Sequence, residues 1–403
     1  MLRRTFLLGT AALTADCQRR QAASLGSLAW VDKTTLWIRE LPDGEPRSLT
    51  TGHRIAAPRF SPLGGWITFR DGEAGWMVSS DGKARKPWNG NTWIPGRDEL
   101  NERDVTFSLS GDKFAWTEGG RLFASERGAA PVDESAGNIY IAGFTAGGDW
   151  LVYWRAIERS ASVEADGLDL YAVATGGGAP RKLGVMTLVH PDMISIPAVG
   201  SAIAVTAGAG RETWANKRIG VIDLAAASVA VNYRTEPSIS AQFPAWSSDG
   251  KTLAWCAGPD ADVENKSRLL ASGQKTIRLI DGAGKRRDIP LTPSLRLSAS
   301  EEIVDECVRL RRIVTARGPM TSNAGYTDER PVWSRDGSHI LFCRKDGEDA
   351  KTIWIMRSDG GEQRQIAGPL LPPTDLTSLE KLGPHGFYGY TNWGKLFDWW
   401  RGA

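Results

Sequence analysis

One spacing recurs along the chain. An anchor residue, aromatic in most copies, is followed after four positions by glycine and after nine by a second large apolar residue. Phe60, Gly64 and Phe69 fit, as do Phe107, Gly111 and Trp116, and Phe144, Gly148 and Tyr153. So do Trp246, Gly250 and Trp255, and Trp333, Gly337 and Phe342, while Ile196, Gly200 and Val205 make a weaker sixth copy. The anchors stand 47, 37, 52, 50 and 87 residues apart, the last interval being one period plus an insertion. A unit repeated every ~40–50 residues cannot bury its apolar face alone and must stack on its neighbours.

The motif has a direct physical reading. The anchor ends one strand, and residues such as Ser247-Ser248-Asp249-Gly250 turn the chain, with glycine supplying positive φ and Asp bonding the turn backbone. The next strand carries unbroken apolar runs, as in Leu253-Ala254-Trp255 and Ile340-Leu341-Phe342. Successive strand residues face opposite sides, so such a run implies a sheet buried on both faces. A second hairpin follows each copy, clearest from Ile353 to Ile366 around Asp359-Gly360. Two hairpins make a four-stranded blade. The abundance of 17 Trp, 45 Gly and 21 Pro suits short, tightly packed strands joined by turns.

The N-terminus offers only three strands, around Ser27–Trp30, Leu36–Leu41 and Ser48–Thr50. At the other end, Tyr390, Gly394 and Trp399 repeat the +4 and +9 offsets and are expected to supply the missing strand. The expected fold is all-β: a seven-bladed β-propeller of four-stranded blades spanning about 25–403. Its ring is closed by a composite blade from both chain ends, which removes an exposed sheet edge.

Pro331-Val332-Trp333-Ser334-Arg335-Asp336-Gly337 and Pro244-Ala245-Trp246-Ser247-Ser248-Asp249-Gly250 resemble the Pro-x-Trp-Ser-x-Asp-Gly signature of TolB-type (WD40-like) propeller repeats. Asp359-Gly360-Gly361-Glu362-Gln363-Arg364 is similar to the other half of that signature. The likeness covers nearly all of the chain after Cys17. It implies the fold and an exported protein that binds a protein partner. The first blade is expected about ten residues after Cys17, leaving no room for the α/β domain that TolB carries ahead of its propeller.

Two stretches depart from the repeat. Between 293 and 330, Ser298-Ala299-Ser300-Glu301 is a capping-box pattern, and Ile303, Cys307, Leu310 and Val314 share one helical face. This predicts an inserted amphipathic helix that covers an edge or the channel mouth, or that meets a partner. Residues 258–275 are polar, but Asp260, Asp262 and Glu264 lack the glycine and closing glutamate of a calcium loop. At the N-terminus, Arg3-Arg4 precede a short apolar stretch, the pattern of a twin-arginine export signal over residues 1–17. Cys17 is a candidate lipidation site, although Thr14 and Asp16 stand where a lipobox has an aliphatic and a small residue. These features predict a periplasmic or envelope-anchored protein, monomeric and without a transmembrane span. Cys256 and Cys343 occupy matching repeat positions, too far apart for a disulfide, and are expected as buried thiols.

Lys+Arg total 49 against Asp+Glu 47, a balance without the electrostatic footprint of a nucleic-acid partner. The chain holds no G-x-S-x-G elbow, H-E-x-x-H or P-loop, and no metal or cofactor is expected. His53 and His190 precede their anchors by seven and six residues, on segments leading into innermost strands. The same class of segment carries Arg103, Asp104, Asp192, Asp328, Glu329 and Arg330, which are expected to ring one mouth of the channel as a binding site. The functional expectation is a non-catalytic scaffold for an envelope protein or peptide. The alternative is a channel-mouth lyase or hydrolase acting on a saccharide or peptide.

Overall fold

The computed structural model describes residues 24–402 except 89–91, 98–104, 126–130, 135–138, 157–166, 209–215, 237–238, 260–275, 290–325, 347–349 and 371–390. The described strands form seven four-stranded antiparallel sheets, the blades of a β-propeller. Blade one joins Phe397–Trp400 to Gly26–Asp32, Thr35–Leu41 and Arg47–Thr51. Blade two spans 55–87, blade three 106–133, blade four 139–187, blade five 194–233, blade six 239–288 and blade seven 326–367. The fourth strands Arg85–Pro87 and Arg286–Asp288 are exposed at every residue, which places them at the rim and the first strands at the channel.

The apolar runs pack as their alternation requires. In blade six, Leu253 and Trp255 face blade five, against Ala204 and Ile219. Ala254 and Cys256 face blade seven, against Phe342 and Trp354. Comparable apolar clusters join blades one and two, three and four, four and five, and seven and one. Each fully buried large side chain contributes ~1.5–3 kcal/mol, so the blade interfaces are the main source of stability. Among the described residues no buried apolar cluster joins blades two and three. There Pro95 lies beside the blade-three turn at Gly111.

The six motif glycines, Gly64, Gly111, Gly148, Gly200, Gly250 and Gly337, all have φ between 68° and 87°. The serine after the anchor explains the rest of the turn. The Ser334 hydroxyl donates to Asp336 Oδ1 at 2.6 Å and accepts from the His339 amide at 2.9 Å. Ser247 does the same with Asp249 and Thr252, at 2.6 and 2.9 Å. Gly337→Ala should cost ~1–2 kcal/mol through left-handed strain, since the nearest atom to its Cβ is 3.8 Å away and no clash adds to it. Chemical denaturation measures this, and a cost above ~3 kcal/mol would mean a collision rather than strain.

Ring closure comes from the C-terminal strand: Phe397–Trp400 pairs antiparallel with Gly26–Asp32, Leu28 opposite Trp399 and Trp30 opposite Phe397. The spacing that pointed there had a different meaning. In the six internal copies the +9 residue sits on the second strand, whereas Trp399 lies on the first strand of its blade. Residues Trp393–Lys395 form a short 3-10 turn where a hairpin turn was expected, and Tyr390 lies outside the described residues. Asp398, which broke the apolar run, accepts a hydrogen bond from the Phe60 amide at 2.9 Å and ties blade one to blade two. The proposed export signal with Arg3 and Arg4, Cys17 and the amphipathic helix also lie outside the described residues. Cys256 and Cys343 are buried and form no disulfide.

Candidate functional site

Asp328, Glu329 and Arg330, expected on an exposed loop, lie within the innermost strand of blade seven, Tyr326–Trp333. Asp328 is 3% exposed and Glu329 0%. The strand extends seven residues before its anchor, so strand alternation sends these side chains into the two flanking interfaces rather than to a common rim.

Asp328 turns toward blade six. Arg344 grips it at two points, Nε donating to Oδ1 at 2.6 Å and Nη2 to Oδ2 at 2.9 Å. The guanidinium is 1% exposed by side chain and stacks 4.2 Å from the Trp354 ring. The Cys256 thiol donates to the Asp328 carbonyl. Burial pushes the Asp328 carboxyl up to about 6, and the hydrogen bonds and charge of Arg344 hold it from rising further. Glu329 turns toward blade one. Trp393 donates its indole N–H to Oε2 at 2.9 Å, and Lys345 Nζ stands 2.6 Å from Oε1.

Arg330 takes a third direction. The pairing shifts register between Glu329 and Val332, and Arg330 adopts φ +49°. Ala57 and Phe243, each three residues before its own anchor, occupy the same left-handed place at +54° and +59°, beside register shifts in blades two and six. A bulge re-aims the side chain it carries. The Arg330 guanidinium donates from Nε to Asp192 Oδ1 at 3.0 Å and lies 4.7 Å from the Phe397 ring. Asp192 sits in the 3-10 turn Pro191–Met193 leading into blade five. The ion pair joins blade seven to the turn that enters blade five, and the same guanidinium rests on Phe397 of blade one.

Of the six residues expected to meet at one mouth, Asp192 and Arg330 do meet. Asp328 and Glu329 are buried on opposite sides of blade seven, and Arg103 and Asp104 lie outside the described residues. Sequence reasoning missed Arg344, Lys345 and Trp393, which complete the buried pairs. The signal that could have found them was Arg344-Lys345 directly after the apolar run Ile340–Cys343, where two cations continue a strand that enters the core. A shallow recess of about 230 Å³ opens on the same side of the ring, lined by Glu118, Ile139 and Tyr140 among others. Among the described residues, no group of His, Cys, Asp and Glu could hold a metal ion, and no helix is long and apolar enough to cross a membrane.

No protein-family model matches the chain, and no curated protein matches it in sequence. Solved structures resemble it in fold. A TolB candidate from Agrobacterium tumefaciens is 13% identical over 85% of this chain and 89% of that one, with a TM-score of 0.40. TolB from Acinetobacter baumannii is 15% identical over 84% of this chain and 65% of its own length, with a TM-score of 0.35. An oligogalacturonate lyase solved in complex with manganese is 12% identical over 92% and 96%, with a TM-score of 0.48. The seven sheets themselves define the fold.

The opposite side of the ring, where first and second strands are joined, has a different character. Leu63, Leu109 and Val199 stand within one or two residues of the motif glycine in blades two, three and five, and are 47%, 68% and 60% exposed. The corresponding turns of blades six and seven carry Asp249 and Lys251, and Arg335 and Asp336. The blade-three turn also carries Asp112 and Lys113, and that of blade four Asp149, so the exposed apolar tips stand among charged neighbours.

Proposed function

We propose that this chain is an exported, non-catalytic propeller scaffold that binds a protein or peptide partner in the cell envelope. The carrying observation is the set of exposed apolar tips at equivalent turns, Leu109 and Val199 above all, held on a ring in which the Asp192–Arg330 pair ties blade seven to the approach of blade five. Apolar side chains presented on a rigid frame lose little freedom when a partner covers them, which favours recognition of a protein surface. The Asp192–Arg330 pair at the channel is the second proposed contact. The TolB-like repeat signature and the twin-arginine pattern of residues 1–17 support the envelope as the place of action.

The test is capture from envelope extract by the mature protein. A Leu109→Asp/Val199→Asp double variant should keep its thermal transition, because both positions are exposed. It should lose about tenfold or more in partner capture, as removal of two central apolar contacts implies. Equal capture by the variant and the wild type would sink the assignment of this side. Turnover of an oligosaccharide or peptide by the purified protein would replace the scaffold reading with that of a channel-mouth lyase or hydrolase. Export is tested separately: changing Arg3-Arg4 to Lys-Lys should retain the precursor inside the cell, and normal export would refute the twin-arginine route.

A further inference from the structure

The hairpin that joins the second and third strands of blade three leaves its polar groups open. Glu118 and Arg121 face each other across it, and Gly119 and Gly120 form the turn at φ +57° and +76°. Neither glycine amide is bonded among the described residues. Glu118 and Arg121 are both exposed, and neither side chain forms an ion pair or hydrogen bond there. At Gly119 no atom lies within 4 Å of the place a Cβ would take. Beside this hairpin opens the recess of about 230 Å³, lined by Thr117 to Gly120 and, from blade four, by Ile139 and Tyr140. Tyr140 is 37% exposed, and Thr117 is exposed as well.

We propose that this recess takes a neutral saccharide carrying acetamido groups. Its lining offers donors and acceptors together: two glycine amides that donate, a carboxylate that accepts, and the hydroxyls of Thr117 and Tyr140 that do either. A saccharide hydroxyl both donates and accepts, so it answers both kinds of group, whereas a bare cation or anion answers one. Glu118 and Arg121 balance in charge, so a charged ligand gains from one and loses to the other. Two neighbouring amide donors suit the carbonyl of an acetamido group, and Ile139 suits its methyl. The Tyr140 ring gives a flat apolar face to a pyranose, with a polar tip beside it. The site lies on the opposite side of the ring from Leu109 and Val199 and goes beyond the scaffold reading.

The probe is tetra-N-acetylchitotetraose, titrated by calorimetry into the full chain. Wild type should bind it with a Kd on the order of 1 mM or tighter, as suits a shallow site. Tyr140→Ala should weaken binding about tenfold or more, while Tyr140→Phe keeps the ring and should stay within about threefold of wild type. Glu118→Gln keeps an acceptor and should also stay within about threefold, because the ligand carries no charge. Both side chains are exposed, so each variant should keep the cooperative wild-type melt, and a loss of binding will not reflect unfolding. The deacetylated tetramer, a polycation, should bind at least about tenfold more weakly than the acetylated one. Absence of binding up to about 10 mM, wild-type affinity in Tyr140→Ala, or tighter binding of the deacetylated tetramer overturns the proposal. Capture of an envelope protein through Leu109 and Val199 is read separately, so either reading can fail alone.

Discussion

A chain ending at Leu396 should lose its cooperative thermal transition, or melt more than about 10 °C below the full-length protein. The deleted strand supplies the pairing of Ser27–Trp30 on the inner edge of Gly26–Asp32, leaving there the bond from the Val31 amide to the Leu396 carbonyl. It carries Phe397 and Trp399, exposed by only 1% and 7%. The Trp399 indole donates to the Leu25 carbonyl at 2.9 Å and the Trp400 indole to the Pro62 carbonyl at 3.0 Å, so the strand also fastens the approach to blade one and the turn of blade two. Loss of each buried aromatic costs ~3–5 kcal/mol. Two of them approach the whole ~5–15 kcal/mol stability of a folded protein. Trp399→Phe is the control: it keeps the strand and most of the burial and should cost only about 1–2 kcal/mol through the lost indole bond and a small void. Near-UV circular dichroism and calorimetry read both variants. A truncated chain that melts with the full-length protein would show that the ring does not depend on its seam.

The ring was legible because its governing signal is local and repeated. Serine, aspartate and glycine after each anchor make a turn whose hydrogen bonds stay within a few residues, and the apolar run after it reports two buried faces. The seam was legible for a weaker reason. An aromatic–glycine–aromatic spacing fits Tyr390, Gly394 and Trp399 by chance, and the composite blade formed because a three-stranded N-terminal sheet needed an inner edge partner. Which strand Trp399 occupies was decided by pairing with Leu28, which no offset encodes.

The site was less legible because a bulge stands between sequence and register. Trp333 pairs with Ile340 and Val332 with Leu341, and an unbroken ladder would place Glu329 opposite Arg344 and Asp328 opposite Lys345. The extra residue at Arg330 shifts the upper half by one, so that Asp328 faces Arg344 and Glu329 faces Cys343. A one-residue shift exchanges the faces of a strand. It therefore decides which acid enters which blade interface, and it frees Arg330 to reach Asp192. The left-handed residues Ala57, Phe243 and Arg330 share no side-chain type, but each directly precedes a proline, Pro58, Pro244 and Pro331, two positions before the anchor, and that proline is the mark the bulge leaves in the sequence.

The buried Asp328–Arg344 pair should behave as a unit. Arg344→Leu should cost about 3–5 kcal/mol, because it leaves an uncompensated carboxylate in the core, and Asp328→Leu should cost a similar amount by stranding the guanidinium. The Asp328→Leu/Arg344→Leu double variant should recover most of either loss, since two apolar residues in an apolar interface need no partner. Acidity supplies an independent readout. The folded carboxyl is pushed up to about 6 from an ordinary 3.8, so the folded state holds this proton more tightly than the unfolded chain. Its stabilising share is full below the ordinary value and is lost as pH rises through about 6, a change of roughly 3 kcal/mol. The turn aspartates act in the opposite sense and in another window. Hydrogen bonds from Arg357 and Gly361 hold Asp359 at about 2, and those from Ser79 and Lys83 do the same for Asp81, so their contribution disappears only as pH falls from about 4 toward 2. Between about pH 4 and 6 the buried pair dominates, and wild-type stability should fall with rising pH while the double variant stays flat. In Arg344→Leu the unopposed burial lifts the carboxyl further, so its cost should be smaller at about pH 5 than at about pH 8. Urea unfolding at those two values decides the matter: single losses below about 1 kcal/mol, or a double variant as unstable as the sum of the singles, would mean that water reaches the pair and that it does not help fix blade seven against blade six.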